Sequence, residues 1–296
     1  MTSLLRGLAR AARRLSSFIE LHGIRIGAVD CAHPSGKTLH LWAAEGDHLA
    51  NLLWWRGWDG YEPASTRPWV QLSRRATTIV DIGANIGIFT LLAAAANPDA
   101  HVFAFEPMSK NFEELQRNAH LNPELKITCV RAAVAATEGE VVLNVHNAET
   151  FDCQASIAPD TQLKAVSMRQ ETCPQTSLDD YCRLNGVAAV GLIKIDVEGA
   201  EPLVLAGMGV ILARDRPDII VEILNEEVAA AVAAVALAHG YTHFLLTSDG
   251  PVVTTSVRPD PRCLNHLLTQ MSPEEVVAIS GEGFPSGSSA GSAAGG

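Results

Sequence analysis

Two acidic residues near position 196 have the types and spacing of a catalytic or metal-binding pair. Asp196 and Glu198 follow the apolar segment 191–195, and the alternation of a β-strand places Lys194 on the same face as both acids. Pro202 suits the first turn of a helix, so the two carboxylates lie at the carboxyl end of the predicted strand. Two acids in a partly dry site need a cation or a shared proton. The pair could therefore act as a general base or bind a divalent cation such as Mg²⁺.

A third acid, Glu222, lies inside the apolar segment 219–224, which predicts another buried strand. A carboxylate within such a strand needs a partner, because its burial without one costs free energy. One interpretation is a structural ion pair with Lys194 or an arginine. The other is that Glu222 lines the pocket of a substrate and takes part in its chemistry.

A glycine-containing turn at residues 81–87 (DIGANIG) lies where a predicted strand passes into a helix, which is where open α/β sheets bind nucleotides. Gly83 permits a tight turn close to a ligand, Asn85 tolerates a left-handed conformation, and Gly87 permits close packing of helix and strand. The dinucleotide pattern G-x-G-x-x-G is not met, because Asn85 and Ile88 occupy its second and third glycine positions. The turn therefore favours a cofactor without a pyrophosphate.

Glu106 follows the next predicted strand, 19 residues after Gly87. A carboxylate at this position can accept hydrogen bonds from both hydroxyls of a ribose, as in proteins that bind adenosine-containing ligands. The glycine turn and this acid together predict a site for such a ligand.

The elements that would position these residues follow one pattern from residue 77 onward. Short apolar strands alternate with helices, which predicts βαβ units and a doubly wound, mostly parallel sheet. Strands are predicted at 78–82, 101–105, 126–130, 140–145, 191–197 and 218–224, with an antiparallel pair at 241–246 and 262–268. Across the switch point of such a sheet, Asp196 and Glu198 face the same crevice as Gly83 and Glu106.

The chain divides into three parts on this interpretation. Residues 1–75 form a helical or irregular N-terminal extension or lid, residues 76–270 the catalytic domain, and residues 281–296 a disordered tail of Gly, Ser and Ala. Residues 146–175 show no period and predict an irregular insertion over the site. The extension carries tryptophans that could stack on a sugar or simply form an apolar lid: Trp54, Trp55, Trp58 and Trp69.

The first twenty residues carry four arginines and no acid before Glu20, with apolar side chains on one face of a possible helix. This pattern fits a docking or dimer helix, a helix weakly associated with a membrane surface, or an organellar presequence. No apolar run reaches the roughly 18 residues that a transmembrane helix needs, so we expect no transmembrane segment.

The composition excludes some classes of protein. The 296 residues are 47% hydrophobic, which disfavours general disorder. The formal net charge of −11 disfavours nucleic-acid binding. The six cysteines contain no Cys-x-x-Cys pair, so we expect reduced thiols in a cytoplasmic protein rather than a zinc or redox motif.

Four segments in this order resemble the FkbM family of S-adenosylmethionine-dependent methyltransferases: residues 80–87 (VDIGANIG), 105–107 (FEP), 176–180 (TSLDD) and 193–201 (IKIDVEGAE). Residues 60–63 (GYEP) also resemble the family's entry segment, so that the likeness extends over about residues 59–225. The resemblance implies a class I methyltransferase fold, which is Rossmann-like, with a seven-stranded sheet whose last strand is antiparallel.

The resemblance also implies O-methylation of a hydroxyl on a sugar, a glycan or a polyketide-type natural product. In that picture Gly83, Ala84, Asn85 and Gly87 wrap the methionine portion of S-adenosylmethionine, Asp81 supports the loop and Glu106 binds the ribose. Because an aliphatic hydroxyl is a poor acid, a general base or a metal is expected near the acceptor. The candidates are Asp196 and Glu198, as base or as ligands of a divalent cation, and then Glu222.

Two other classes of function fit parts of the pattern. A nicotinamide-dependent oxidoreductase would use the same crevice, although the glycine spacing disfavours it. A non-catalytic member of the fold would use the crevice for binding alone.

Overall fold

The computed structural model describes residues 26–44, 48–146, 168–260 and 263–281. The predicted helix in the first twenty residues lies outside these ranges, as does the predicted disorder of the tail apart from Gly281. In the described ranges no helix is both long enough and apolar enough to cross a membrane.

Thirteen strands occur among the described residues: β1 (Gly27–Ala32), β2 (Thr38–Ala43), β3 (Thr78–Ile82), β4 (His101–Phe105), β5 (Ile127–Val130), β6 (Ala133–Val134), β7 (Gly139–His146), β8 (Met168–Thr176), β9 (Leu192–Ile195), β10 (Asp218–Glu222), β11 (Thr242–Thr247), β12 (Gly250–Val253) and β13 (Asn265–Thr269). The α-helices of the same ranges are α1 (His48–Arg56), α2 (Pro63–Ser73), α3 (Ile88–Ala96), α4 (Ser109–His120), α5 (Leu178–Leu184), α6 (Glu201–Ala206), α7 (Gly209–Arg214), α8 (Glu226–His239) and α9 (Pro273–Gly281). The βαβ alternation predicted from residue 77 onward is confirmed.

The main sheet has the strand order β12-β11-β13-β10-β9-β3-β4-β5. Strands β5, β4, β3, β9 and β10 are parallel to one another, whereas β13 runs antiparallel to both β10 and β11. The predicted closing antiparallel pair is therefore confirmed. The predicted count of seven strands is exceeded by one, because a turn at Asp249 folds β12 back onto β11 as an edge hairpin.

The order of the strands brings the ends of β3, β9 and β10 together. The chain runs outward from β3 through β4 to β5, and then returns to the other side of β3 to form β9 and β10. This reversal is the switch point at which open α/β sheets bind ligands outside the carboxyl ends of their strands. The residues that follow β3 and β9, and the last residue of β10, therefore share one crevice.

The N-terminal region contains a hairpin that the sequence pattern did not predict. Strands β1 and β2 pair antiparallel, and α1 and α2 follow. The sequence feature that marks these strands is a short period-two alternation, with buried side chains at every second position of both strands. Within this region Trp58 and Trp69 are buried and donate to the carbonyls of Ala32 and Phe89, which favours the packing interpretation for these two tryptophans.

Two buried asparagines attach the hairpin to α4 and to the residues directly after it. Asn122 exchanges hydrogen bonds with the backbone N–H and C=O of His40 at 2.9 and 2.7 Å. Asn118 accepts from the Trp42 N–H at 2.7 Å and donates to the Ile86 carbonyl at 2.8 Å. Because buried polar groups of the backbone need partners, these amides satisfy the free edge of β2 and connect it to the turn after β3.

The prediction of an irregular insertion at residues 146–175 was wrong for its last part. Residues 168–176 form β8, which pairs antiparallel with the whole length of β7 and parallel with β6. Its side chains are mostly polar, so the strand is specified by backbone pairing rather than by apolar alternation. Residues 147–167 lie outside the described ranges.

The segment 176–180, one of the four that carry the family resemblance, has a structural role here. Ser177 is the N-cap of α5 and accepts from the Asp180 N–H at 3.0 Å. Asp179 accepts from the N–H groups of Val210 and Ile211 at the start of α7, at 2.8 and 3.0 Å. These bonds fix α5 and α7 beside the sheet.

Candidate active site

The turn between β3 and α3 has the left-handed backbone that its sequence predicts. Gly83, Asn85 and Gly87 have φ of 82°, 52° and 91°. A Cβ on Gly83 would lie 1.8 Å from the carbonyl oxygen of Asp196, so only glycine lets the turn approach the end of β9 this closely. The N–H groups of Gly83 and Ala84 both donate to the carbonyl of Phe105, which fastens the turn to the end of β4.

Two details of the turn differ from the expectation. A Cβ on Gly87 would lie 2.6 Å from Cδ1 of Leu115, so Gly87 permits close packing against helix α4 rather than against a strand. The methyl group of Ala84 is buried in a small apolar cluster with Ala104 and Leu115. What Ala84 can offer a ligand is therefore its backbone.

Glu106 directly follows β4 and is buried beside the turn. Its Oε2 accepts from the Asn85 N–H at 2.8 Å and its Oε1 from the Met108 N–H at 2.9 Å. Burial raises the pKa of Glu106 to about 7, against the two N–H bonds, which lower it. Each carboxylate oxygen retains a lone pair, so the residue can still accept hydrogen bonds from ribose hydroxyls.

Asp81 lies in the interior of β3 and supports the start of α3. Its Oδ2 accepts from the hydroxyl of Thr90 at 2.6 Å, while its Oδ1 is buried and has no hydrogen-bond partner among the described residues. Burial raises the pKa of this carboxyl, and the positive charge of Lys194 acts in the opposite direction. Through Thr90 the carboxylate ties the end of β3 to the first turns of α3.

The structure brings the three predicted catalytic acids together. Asp196, Glu198 and Glu222 each offer one carboxylate oxygen, and these oxygens all lie within 4.8 Å of one another. They come from the end of β9, the turn that follows it and the last residue of β10. The chemistry of this donor set suits a cation, whether a divalent metal or the positive centre of a ligand.

Lys194 is buried next to this cluster and bonds to one of its members. Its Nζ lies 2.6 Å from Asp196 Oδ2 and 4.3 Å from the centre of the Phe89 ring. Burial alone would lower the pKa of Lys194, but the negative charges of Asp196, Asp81 and Glu62 outweigh it and raise the pKa. The lysine is therefore a fixed positive charge that holds Asp196.

Among the described residues, Glu222 does not form the ion pair with Lys194 or an arginine that was one of its two interpretations. Lys194 bonds Asp196 instead, and Glu222 Oε2 is buried without a hydrogen-bond partner in the described part of the chain. Burial raises the pKa of Glu222 to about 10, and the nearby charges of Asp196 and Glu198 act in the same direction. The arrangement favours the other interpretation, in which Glu222 faces the crevice.

Two further acids belong to the site but were not predicted as site residues. Glu201 Oε1 accepts from the N–H groups of Val197 and Gly199 at 3.1 and 3.2 Å, and so holds the turn that carries Glu198. Glu62, just before α2, interacts electrostatically with Lys194 and Asp196. Both lie in the segments that carried the resemblance. For Glu201, the sequence feature that could have indicated this role is its position two residues after a glycine, at the start of a predicted helix.

The strand order, the antiparallel β13 beside β10 and the glycine turn after the central strand define a class I methyltransferase fold. The sequence profile of the methyltransferase FkbM domain matches residues 81–246, more than half of the chain. The chain belongs to the FkbM family of methyltransferases.

Individual relatives are distant. The 31-O-demethyl-FK506 methyltransferase FkbM of Streptomyces tacrolimicus is 28% identical over 206 residues, 59% of this chain and 74% of that protein. The hexuronic acid methyltransferase AglP of Haloferax volcanii is 30% identical over 128 residues, 43% of this chain and 48% of that protein. The crystal structure of a methyltransferase FkbM from Methylobacillus flagellatus KT is 17% identical, with a TM-score of 0.41, and the match covers 65% of this chain and 43% of that one.

Proposed function

We propose that this methyltransferase uses S-adenosylmethionine to methylate a hydroxyl group of a sugar, a glycan or a polyketide-type natural product. The observation that carries the proposal is that the glycine turn and Glu106 lie beside a cluster of carboxylates at one switch point. The names of two relatives support the acceptor class, since one acts on an O-demethylated compound and the other on a hexuronic acid.

The turn and Glu106 provide the elements of a cofactor site. The backbone of Gly83, Ala84, Asn85 and Gly87 would hold the methionine portion, Asp81 would keep the turn in place through Thr90, and Glu106 would accept the ribose hydroxyls. When bound, S-adenosylmethionine supplies a methyl group on a positively charged sulfur. Two acids of the crevice, Asp196 and Glu222, favour a positive charge there.

The carboxylate cluster would orient the acceptor hydroxyl and remove its proton. Asp196 is bonded to Lys194, whereas one buried oxygen of Glu222 has no hydrogen-bond partner within the described ranges. A carboxylate whose pKa is raised is a stronger base than an ordinary one, and a positive charge bound in the crevice stabilises its ionised form. Glu222 is therefore our first candidate for the base. Asp196 and Glu198 would orient the hydroxyl or, with Glu222, bind a divalent cation.

Calorimetric titration of the protein tests the cofactor assignment. We expect binding of S-adenosylmethionine and of its demethylated product S-adenosylhomocysteine, and no binding of NAD, because the turn lacks the glycines that a pyrophosphate needs. Glu106→Ala should weaken both sulfur ligands at least about tenfold, the size expected when a hydrogen bond from a hydroxyl to a charged group is lost. Absence of heat with both sulfur ligands would contradict the proposal, and heat with NAD alone would favour an oxidoreductase.

A further inference from the structure

Glu62 has a backbone conformation that its sequence context disfavours. Its φ and ψ are 41° and 55°, in the left-handed region, and it precedes Pro63, which disfavours helical backbone in the residue before it. Among the described residues, four other than glycine have positive φ, and Glu62, Asn85 and Glu198 belong to the site. The fourth, Arg216, lies on an exposed turn. Strained residues that gather in this way point to a function.

Hydrogen bonds to the Glu62 carbonyl hold this residue in its strained backbone conformation. The N–H groups of Ser65 and Thr66 both donate to the Glu62 carbonyl at 2.9 Å, and the Thr66 hydroxyl donates to it at 3.1 Å. These bonds fix the main chain at the start of α2. The direction of the Glu62 side chain is thereby fixed as well, although a less strained residue would serve the helix start equally well.

The side chain reaches the end of the main sheet. Glu62 Oε2 accepts from Nδ2 of Asn265 at 3.3 Å, and Asn265 is the cross-strand neighbour of Glu222 in the β10–β13 pair. Glu62, Asn265 and Glu222 therefore form a continuous group, which we call the 62–265–222 subsite. It joins the N-terminal region to the candidate base.

The 62–265–222 subsite contains hydrogen-bond acceptors that lack donors. Asn265 Oδ1 and Glu222 Oε2 are both buried and have no partner in the part of the chain that is described. Such atoms are rare in native proteins because their desolvation is not repaid. The bond from Asn265 Nδ2 to Glu62 orients the amide, so that Oδ1 is the end left over. A ligand carrying several hydroxyl donors would satisfy both atoms.

We propose that Glu62 and Asn265 bind the acceptor of the methyl group, and that this acceptor is an uncharged molecule with neighbouring hydroxyls, such as a neutral sugar. The inference rests on the proposed methyl-transfer function. Four carboxylates act on this region, and the positive group that faces them, Lys194, is already bonded to Asp196. Among the described residues no second cation faces these acids, so an acceptor with its own carboxylate would meet a surplus of negative charge even beside the positive sulfur of the cofactor.

The first arm of the test separates binding from stability. In Glu62→Gly the left-handed backbone is relieved and a buried acid is removed, so the melting temperature should stay the same or rise. Arg216→Gly is the matched control, because it relieves the same conformation at an exposed residue away from the site. A fall in the melting temperature of Glu62→Gly, with a rise in that of Arg216→Gly, would show a structural role and overturn the inference.

The second arm measures acceptor binding by saturation-transfer NMR on protein saturated with S-adenosylhomocysteine. The probes are a panel of neutral methyl glycosides and the corresponding uronates. We expect signals from at least one neutral glycoside, several-fold weaker signals from its uronate, and loss of the glycoside signal in Glu62→Gly and Asn265→Ala but not in Arg216→Gly. Signals unchanged in the two site variants, stronger binding of the uronates, or no bound glycoside at all would each overturn the inference.

Calorimetry on the same samples distinguishes failure of the proposed function from failure of the proposed acceptor subsite. If S-adenosylhomocysteine does not bind to the wild type, the proposed function fails. If it binds to the wild type and to both site variants with the same affinity, any change in the NMR signals reports on acceptor binding at the 62–265–222 subsite and not on cofactor binding.

Discussion

Replacement of Glu222 by glutamine is expected to lower kcat by at least about 100-fold while the affinity for S-adenosylhomocysteine stays near that of the wild type. Loss of a general base costs about 10²–10⁴ in rate, and glutamine keeps the size of the side chain. Among the described residues no hydrogen bond joins Glu222 to the glycine turn or to Glu106, so the cofactor should remain bound.

The pH dependence of kcat tests whether Glu222 itself accepts the proton. Because burial raises the pKa of Glu222 to about 10, the ionised form that can accept a proton becomes more populated as the pH rises. The kcat of the wild type should therefore rise with pH above neutrality, and the rise should be lost in Glu222→Gln. A kcat of Glu222→Gln within a few-fold of the wild-type value, with the same pH profile, would eliminate Glu222 as the base.

Asp196→Asn and Glu198→Gln are the matched variants for this measurement. Each removes one charge from the same cluster, so a general electrostatic effect would appear in all three. If Glu222 is the base, Asp196→Asn and Glu198→Gln lose rate but keep the alkaline rise, whereas a lost rise in Asp196→Asn would assign the proton to Asp196. Assays with and without a chelator test the cation: unchanged kcat would reject a metal held by these acids.

Replacement of Gly83 by alanine is expected to abolish cofactor binding and to lower the free energy of unfolding by about 3 kcal/mol or more. The added Cβ would lie 1.8 Å from the backbone oxygen of Asp196, and φ at this residue is 82°. Because the obstacle is backbone rather than a flexible side chain, either the turn or the end of β9 must move. Urea denaturation measures the stability, and calorimetry with S-adenosylhomocysteine measures the binding.

Gly186→Ala is the control for this variant. Gly186 has a φ of 68°, and no atom lies within 4 Å of a Cβ placed there. Alanine at this position is strained in the left-handed region but meets no other atom. We therefore expect Gly186→Ala to lower the free energy of unfolding by about 1–2 kcal/mol and to leave binding of S-adenosylhomocysteine unchanged. Equal losses in Gly83→Ala and Gly186→Ala would show that the close approach to Asp196 is unimportant.

The central part of the fold could be predicted because its signals are local. The apolar runs of β3, β9 and β10 are bounded by turns, and the glycine turn and the acids after β9 lie within short segments. Strand alternation alone placed Lys194 and Asp196 on one face, which the 2.6 Å contact confirms. The order of the strands then follows from general rules on parallel sheets.

The parts that were missed depend on contacts between distant residues. Glu62 meets Asn265 across 203 positions of the sequence, and no periodicity marks either of them. Strand β8 is polar and is specified by its pairing with β7, while the edge of β2 is satisfied by side-chain amides from α4. The two interpretations of Glu222 could be separated only once the structure showed that Lys194 is bonded to Asp196.

A crystal structure of the protein with S-adenosylhomocysteine would show whether the switch-point crevice holds the cofactor with its sulfur facing the carboxylates. We expect the ribose hydroxyls within hydrogen-bond distance of Glu106, the amino-acid portion along the turn at Gly83, and the sulfur directed toward Asp196 and Glu222. A ligand bound outside this crevice, or one whose ribose is turned away from Glu106 with the sulfur remote from the three carboxylates, would contradict this expectation.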